Sequence, residues 1–417
     1  MSRSRGLHYA WVVLGVSFLA VVVPQGLRIA FGAFVPSWER DFATNRATLA
    51  TLSSVSFLVY GFGQPITGRL ADRFGGRNVL TAGVLMVGLG AAAVALAPGV
   101  GWVALAYIGV ASVGFAFSSG VAPVSMIVRW FETHRGTALG LMATAIAVGQ
   151  LVVTPVALLL IVRFGWRTTM DVFAVYMIFV LAPLTWLLVR SRPESKSVQP
   201  LGAGDAADPQ RPRLAMRGPS SVPERSFWLL AIPFFVCGAT TSGLIDTHLV
   251  PLAHDHNLPV DVTAASVATL AAFNVAGTLA AGWLADRFPR RTLLGIVYAV
   301  RAFSLIVLIN VGASSGLLFV FAVIFGLADF STVAPTYSLG AEYFGVKRGA
   351  GTVVGVLSLA HQVGSALGAG ATGLLYQLTG SYTFPLVLAM LILAGASVIS
   401  FLLPAESRRP IAAAASA

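Results

Sequence analysis

Four ionisable side chains, Arg28, Asp246, Asp329 and His361, lie inside long apolar stretches of this 417-residue chain. A charge at the middle of a membrane-spanning helix costs at least about 2.5–3.5 kcal/mol, so each of them needs a partner or a function. The planar guanidinium of Arg28 can bind a carboxylate through two parallel hydrogen bonds. Aspartate and histidine are residue types that carry protons at membrane depth. This combination indicates anion binding together with proton transfer.

Each of these residues also has a structural explanation. Arg28 could form an internal ion pair with Asp246, and His361 could be a hydrogen-bonded interior histidine. Asp329 could be a packing or pairing residue, and Arg301 is expected to have a structural or lipid-interface role. The sequence shows no zinc-ligand cluster, phosphate-binding loop, dinucleotide-binding glycine pattern or nucleophile–base pair. We therefore expect no cofactor, no metal and no enzymatic activity.

The elements that must position these residues are twelve apolar stretches, each long enough to cross a hydrocarbon core about 30 Å thick. They are Trp11–Pro36, Leu49–Ile66, Val79–Ala97, Val103–Val128, Ala138–Val162, Met170–Val189, Phe227–Leu252, Thr263–Ala285, Leu293–Val311, Gly316–Leu339, Thr352–Leu378 and Phe384–Leu403. The predicted fold is an all-α membrane protein with twelve transmembrane helices in two pseudo-symmetric six-helix bundles. The bundles are expected at 1–190 and 227–405, with a cytoplasmic linker at 191–226 and a cytoplasmic tail at 406–417.

The composition excludes a soluble enzyme and a disordered chain. Hydrophobic residues make up 57% and charged residues 10%, whereas soluble domains carry about 25% charge. A net charge of +11 could indicate nucleic-acid binding, but most of the Lys and Arg lie in alternate loops, the linker and the termini. This asymmetry predicts that both termini are cytoplasmic and that nucleic acid is not a partner. The Arg-rich, Lys-poor composition favours a bacterial inner membrane.

Two loop motifs recur at nearly the same spacing. Gly68-Arg-Leu-Ala-Asp-Arg-Phe-Gly-Gly-Arg follows predicted helix 2, and Gly282-Trp-Leu-Ala-Asp-Arg-Phe-Pro-Arg-Arg follows predicted helix 8, 214 residues later. Trp130-Phe-Glu-Thr-His-Arg-Gly has a similar counterpart in Tyr343-Phe-Gly-Val-Lys-Arg-Gly. Repetition of two unrelated motifs indicates that a six-helix unit was duplicated. In transporters built from such repeats the substrate site lies near the midplane, between the halves.

With these motifs the chain resembles the major facilitator superfamily. The Gly-x-x-x-Asp-Arg-x-Gly-x-Arg signature and the six-plus-six layout carry the resemblance, although Pro289 stands where the second copy usually has glycine. Phe31-Gly-Ala-Phe, His248-Leu-Val-Pro and Leu359-Ala-His-Gln are similar to segments of the monocarboxylate and oxalate/formate carrier branch. The resemblance implies a secondary transporter that functions as a monomer, with a small organic acid and protons as partners in a lipid bilayer.

The resemblance also implies a gate on the cytoplasmic side. It places Asp72 near the start of helix 11 and Asp286 near helix 5, where a carboxylate at a helix N-terminus gains about 0.3–1 kcal/mol from the helix dipole. The alternative is that these charges only set the topology. The predicted gate residues are Asp72, Arg73, Arg77, Asp286, Arg287, Arg129 and Arg135.

Helix 8 departs from the carboxylate-carrier pattern. The resemblance implies an arginine about one turn before its signature, but Thr278 occupies that position. Either Arg28 supplies the positive charge from the other half, or the substrate is not a simple carboxylate. The predicted substrate-binding residues are Arg28, Asn274, Thr278, His361, Gln362, Tyr60, Gln150 and Tyr337, and the predicted proton carriers are His361, Asp246 and Asp329.

The function that these observations favour is proton-coupled symport of a small, monocarboxylate-like organic anion across the inner membrane by alternating access. An organic-anion exchanger of the oxalate/formate type is a close alternative. An exporter of an amphipathic or aromatic compound is a third, favoured by the absent arginine and by 26 phenylalanines. A transport-inactive receptor or a membrane-embedded enzyme has little support, because the chain shows neither an added signalling domain nor a catalytic constellation.

Overall fold

The computed structural model describes residues 8–132, 134–196, 198–202, 224–285, 287–348 and 350–404. Within these ranges the side chains of 135–137, 341, 345–348 and 350–352 are not described. Asp286, the Arg135 side chain, most of the predicted linker and the whole predicted tail therefore lie outside the described residues.

The described chain is helical in both halves. The N-terminal half consists of α1 (Tyr9–Ile29 continued by Phe31–Asp41), α2 (Arg46–Phe74), α3 (Gly76–Ala95), α4 (Val100–Trp130), α5 (135–164) and α6 (166–188). The C-terminal half consists of α7 (Arg225–Asp255), α8 (Val260–Ala285), α9 (Arg290–Ile309), α10 (Ser315–Ala328 continued by Val333–Arg348), α11 (Ala350–Thr379) and α12 (Thr383–Phe401).

The apolar lengths of these helices account for eleven membrane spans, and α2 is assigned as one more. Ten stretches of the described residues are long and apolar enough to cross a bilayer. One of them, Ala138–Leu188, has 51 residues and would be about 77 Å long as a straight helix, so it must cross twice. Gly165, at φ 79°, makes the turn between α5 and α6. The twelfth span is α2, which is more polar and ends with Arg69, Asp72 and Arg73.

Local sequence signals explain where several helices begin and end. The Asn45 side chain accepts a hydrogen bond from the Thr48 N–H and caps α2, and Ser314 caps α10 in the same way. Gly75 ends α2 at φ 86°, a conformation that favours glycine. Helix α1 continues through Pro24 and Gly26, two residues that usually weaken a helix, and is interrupted at Ala30.

The two halves meet along one end of the bundle, which we call the Arg46 end, and the opposite end carries Asp72. Helix α2 packs on α11 and α5 packs on α8. At Gly61 an added Cβ would lie 2.7 Å from the Cβ of Gln362, and at Gly370 it would lie 2.9 Å from Ser54 Oγ. Close backbone approach at small residues is the usual way in which membrane helices pack. These contacts lie between the middle of the bundle and the Arg46 end.

The crossing of α1 and α7 depends on Gly32. A Cβ at this position would lie 2.8 Å from the carbonyl oxygen of Asp246 and 2.9 Å from that of Thr247. We therefore expect Gly32→Leu to force the helices apart and open the Arg46 end. The distance between spin labels at the exposed positions Thr48 and Asp261 should increase.

The matched control is Gly15→Leu, on the same helix but with nothing within 4 Å of an added Cβ. An unchanged label distance in a folded Gly32→Leu protein would contradict the assigned role of Gly32.

Candidate functional site

Arg28 lies at the centre of the candidate site. It is 9% exposed, its Nε donates a 2.9 Å hydrogen bond to Gln25 Oε1, and its guanidinium carbon lies 4.6 Å from the ring centroid of Tyr60 and 5.6 Å from that of Phe57. Among the described residues, neither terminal nitrogen of the guanidinium has a hydrogen-bond acceptor. The two terminal nitrogens, which in other arginines can bind a carboxylate through parallel hydrogen bonds, are therefore not used by the described part of the protein.

Gln25 fixes the orientation of this guanidinium. It is fully buried, and its Nε2 donates a 2.9 Å hydrogen bond to the carbonyl oxygen of Phe115 on α4. Because the side-chain nitrogen of Gln25 is bound to α4, its side-chain oxygen faces Arg28 and accepts a hydrogen bond from Arg28 Nε. Gln25 is thus a positioning residue that our sequence reasoning missed, although a glutamine three residues before a buried arginine is a signal that could have identified it.

Asp246 faces the N-terminal half but does not pair with Arg28. Its Oδ1 accepts a 3.1 Å hydrogen bond from Gln150 Nε2 on α5. Among the described residues its buried Oδ2 has no hydrogen bond of regular geometry, although the Ser242 hydroxyl lies close to the carboxylate. A cavity of about 20 Å³, lined by both side chains and by Thr154, has room for about one water molecule. Asp246 also lies within electrostatic reach of Arg28 and His361. The internal Arg28–Asp246 ion pair is therefore not formed in this structure.

His361 lies on α11 in an aromatic environment. Its ring centroid is 4.8 Å from that of Phe234, which in turn is 5.5 Å from Tyr337. The Tyr337 hydroxyl is hydrogen-bonded to Ser358 at 2.7 Å. The next residue, Gln362, packs against Gly61 of α2, and its buried Oε1 has no partner among the described residues. The structure thus brings His361, Gln362 and Tyr337 together on the C-terminal side of the site.

Asn274 and Asp329 belong to a separate polar network inside the C-terminal half. Asn274 Nδ2 donates to Asp329 Oδ2 at 2.9 Å, and Thr278 Oγ1 donates to Asn274 Oδ1 at 3.3 Å. The other oxygen of Asp329 accepts from Thr241 at 2.8 Å. Both Asn274 and Asp329 are buried. The structure therefore places Asn274 and Thr278 against Asp329 and not beside Arg28.

Arg301 completes this network. It is fully buried, and its guanidinium donates to Thr240 Oγ1 at 2.8 Å, to Thr241 Oγ1 and to Cys237 Sγ at 3.0 Å. A role at the lipid interface is therefore wrong, because α9 turns this side chain toward α7. The α7 backbone is π-helical over Ala239–Asp246, a local form that is frequent at functional sites.

A charged cluster joins the halves at the Arg46 end, and we call it the outer cluster. Arg46 Nε and Nη2 bind Glu39 at 2.6 and 2.7 Å, while Nη1 binds Asp255 at 3.0 Å and the Tyr382 hydroxyl at 2.8 Å. Its guanidinium carbon lies 4.7 Å from the Tyr376 ring centroid. Arg46 is only 6% exposed. Because Glu39 belongs to the N-terminal half and Asp255 to the C-terminal half, this arginine connects the two bundles.

Two further polar contacts lie next to the outer cluster, one within the C-terminal half and one between the halves. His248 bridges the Tyr382 hydroxyl, 3.2 Å from Nδ1, and the Ala369 carbonyl oxygen, 3.1 Å from Nε2. Ser53 and Thr247 lie across the interface with 3.4 Å between their hydroxyl oxygens. Our sequence reasoning missed the outer cluster because Arg46 was counted only as a loop charge. A lone arginine at the start of a helix carries no signal of a partner 209 residues away.

At the opposite end the described side chains of the predicted gate residues contact their own half. Arg129 Nη2 lies 3.7 Å from Asp72 Oδ1, and 73% of the Asp72 side chain is exposed. Arg77 lies over the Trp186 ring at 4.3 Å, and Arg287 over the Trp283 ring at 3.8 Å. Arg73 lies over Phe74. In this structure Asp72 thus contacts Arg129 of α4. The sequence instead predicts a contact with the start of α11.

Comparisons with known proteins agree with this architecture. The profile of the Major Facilitator Superfamily matches residues 16–344 and 235–416. An uncharacterized MFS-type transporter, YcxA of Bacillus subtilis strain 168, is 27% identical over 401 residues that cover 94% of this chain and 95% of the relative. Monocarboxylate transporter 13 of Rattus norvegicus is 26% identical, with 94% and 88% coverage. The predicted resemblance to the monocarboxylate branch is confirmed at this level.

Solved structures show the same fold. A bacterial homologue of the human lysosomal transporter Spinster, in an inward-facing and occupied conformation, superposes with a TM-score of 0.75 at 18% identity and covers 95% of this chain and 97% of that one. A D-xylose–proton symporter superposes with a TM-score of 0.73 at 15% identity, with 95% and 98% coverage. The predicted fold class is confirmed, and this multi-pass membrane protein, a transporter and not an enzyme, belongs to the Major Facilitator Superfamily.

Proposed function

We propose that this transporter moves a small organic monocarboxylate by alternating access and that proton symport drives it. One observation carries the proposal: Arg28 is a buried guanidinium whose terminal nitrogens have no acceptor among the described residues. An unpaired cation at membrane depth is costly, whereas a carboxylate ligand would satisfy two of its donors at once. The positive charge that helix 8 lacks at Thr278 would thus come from α1.

The surroundings of Arg28 favour a carboxylate with an apolar or aromatic body. Phe57 and Tyr60 lie beside the guanidinium, and Phe234 and Tyr337 flank His361. Two relatives support this substrate class: monocarboxylate transporter 13 of Rattus norvegicus, and a niacin transporter of Acinetobacter baylyi that is 29% identical over 191 residues, or 45% of this chain. Gln150, Gln362 and Tyr60 would contribute polar contacts to the rest of the substrate.

Asp246 is the residue that we propose as the main proton carrier. Its Oδ1 is held by Gln150, while its Oδ2 has no hydrogen bond of regular geometry among the described residues and lies next to a water-sized cavity. A proton on Oδ2 would neutralise a buried carboxylate, which is costly to keep charged where one of its oxygens lacks a hydrogen-bond donor. His361 would sense the same charge, since both residues lie within electrostatic reach of each other. Asp329 is a second candidate, held within the network of Arg301, Thr241 and Asn274.

For orientation we propose that the Arg46 end faces outward and the Asp72 end faces the cytoplasm of a bacterial inner membrane. Arg73, Arg77, Arg129 and Arg287 lie at the Asp72 end, as the positive-inside rule requires of a cytoplasmic face. The closed outer cluster then corresponds to an inward-facing state. In the outward-facing state the gate residues at the Asp72 end would form contacts between the halves.

The test of the substrate class is thermal stability of the detergent-purified protein. The ligands are a panel of mono-, di- and aromatic carboxylates together with their uncharged amides. A ligand at 100 times its Kd adds about 2.7 kcal/mol to the stability of the folded state. We expect a monocarboxylate to raise the melting temperature of the parent protein and not that of Arg28→Ala. The control is Arg40→Ala, because the Arg40 side chain is 77% exposed and pairs only with its neighbour Asp41.

Stabilisation by the amides alone, or an equal shift in parent and Arg28→Ala, would contradict a carboxylate site at Arg28. Sensitivity of uptake to a protonophore separates symport from anion exchange, in which Arg28 and His361 would hold one substrate at a time.

A further inference from the structure

The α2–α3 turn, the end of α4 and the end of α6 enclose a cleft of about 330 Å³ at the Asp72 end. Its lining contains five arginines and one acid, and we call it the arginine cleft. The charged residues of the lining are Asp72, Arg73, Arg77, Arg129, Arg190 and Arg192. The proposed transport path through Arg28 and Asp246 uses none of these arginines to hold substrate.

The positive charge of the arginine cleft is poorly compensated within the described part of the chain. Asp72 is the single acid in the lining, and its 3.7 Å contact with Arg129 is long and largely exposed. Arg190 donates only to backbone carbonyl oxygens, those of Trp186 at 3.2 Å and Val189 at 3.0 Å. Several like charges around one concave surface raise the local concentration of anions. The cleft is therefore suited to an anionic group with several acceptor oxygens.

The apolar rim indicates where this anion comes from. Phe74, a lining residue, is 54% exposed, and Trp186 and Leu187 beside the cleft are 47% and 62% exposed. Arg77 lies flat over the Trp186 ring at 4.3 Å. Exposed tryptophan and arginine together are typical of the bilayer–water boundary. A ligand bound here would have its anionic group among the arginines and an apolar part against these side chains.

We propose that the arginine cleft binds the phosphodiester headgroup of an anionic phospholipid. Arginine forks match phosphate oxygens in geometry and charge, and basic pockets between helices at the cytoplasmic face are suited to such headgroups. The backbone N–H of Arg77 donates a 3.1 Å hydrogen bond to Ser191 Oγ. This hydrogen bond connects the α2–α3 turn with the segment after α6. A bound headgroup would strengthen this connection by binding Arg77 together with Arg190 and Arg192.

The experiment is a titration of the full-length protein in neutral detergent with dioleoyl phosphatidylglycerol, monitored by the melting temperature and by native mass spectrometry of bound lipid. Phosphatidylcholine and inorganic phosphate are parallel titrations. We expect saturable stabilisation by phosphatidylglycerol alone. In Arg77→Gln the half-saturating concentration should rise about fivefold, as expected for one arginine at the membrane surface.

The matched control is Arg287→Gln, which removes the same charge from a tryptophan face but does not line the cleft. Equal effects of both variants, or equal stabilisation by phosphatidylcholine, would overturn the proposal. Stabilisation by inorganic phosphate to the same extent would assign the cleft to a soluble anion and overturn the lipid source. If Arg77→Gln does not fold, Arg192→Gln at the exposed rim takes its place with the same expected fivefold change.

Discussion

Replacing Arg46 with methionine is expected to open the Arg46 end and to shift the conformational equilibrium by about 30-fold. The substitution keeps the apolar stem but removes the charge-assisted hydrogen bonds to Glu39, Asp255 and Tyr382. Such bonds contribute about 1.5–3 kcal/mol each when buried, and partial exposure of both carboxylates reduces their sum to roughly 2 kcal/mol. In the open form the two unpaired carboxylates would return to water.

The measurement is the alkylation rate of Ser53→Cys, a position 3% exposed in the closed form, with a water-soluble maleimide. The native Cys237 is fully buried and provides a low background. Arg40→Met is the matched control, because it removes an arginine of the same end that pairs with its neighbour Asp41 and has no ion pair with the other half among the described residues. If Arg46→Met and Arg40→Met react at the parent rate, the outer cluster does not hold the halves together.

The second large effect is expected from Asp246→Asn, which should abolish proton-driven accumulation while exchange of substrate continues. Asparagine can still accept the hydrogen bond from Gln150 Nε2, but it cannot release a proton. With one proton per substrate, a pH difference of one unit drives about tenfold accumulation. In proteoliposomes we expect this ratio to fall to about one in the variant, and counterflow to remain within about threefold of the parent.

Asp261→Asn is the control for this experiment, since Asp261 is exposed at the start of α8. Normal accumulation by Asp246→Asn would show that the proton is carried elsewhere, with Asp329 as the next residue to replace. A parallel loss of accumulation and counterflow would assign Asp246 to substrate binding.

The sequence predicts the architecture well because lipid imposes simple constraints. Apolar length, the absence of charge and the position of arginines specify spans, as each backbone group in the bilayer must be satisfied within its own helix. The duplicated loop motifs then show which helix of one half corresponds to which helix of the other. Two regions show how far these constraints reach. The sequence predicts a span within α2 although polar residues lower the hydropathy of that helix, and it predicts separate spans on the two sides of the turn at Gly165.

The candidate site was only partly predictable. Arg28, Asp246 and His361 stand out because ionisable residues are rare at membrane depth. Their partners follow from helix rotation and tilt, which packing determines. For this reason the sequence suggested an Arg28–Asp246 pair, whereas Gln25 and Gln150 bind these two side chains. For Arg301 the sequence left a structural and a lipid-interface role open for the same reason, and its contacts with α7 support the structural role.

The outer cluster has no second copy in the duplicated chain. The residue 214 positions after Arg46 is Val260, the first residue of α8, which is 38% exposed, whereas the Asp-Arg signature at the other end occurs in both halves. The predicted gate motif therefore occurs twice in the sequence, whereas the outer cluster depends on a single arginine. A substitution at position 46 would change the closure of the Arg46 end and leave both copies of the Asp-Arg signature unchanged. Substitutions can thus change the closure of one end of the bundle independently of the other.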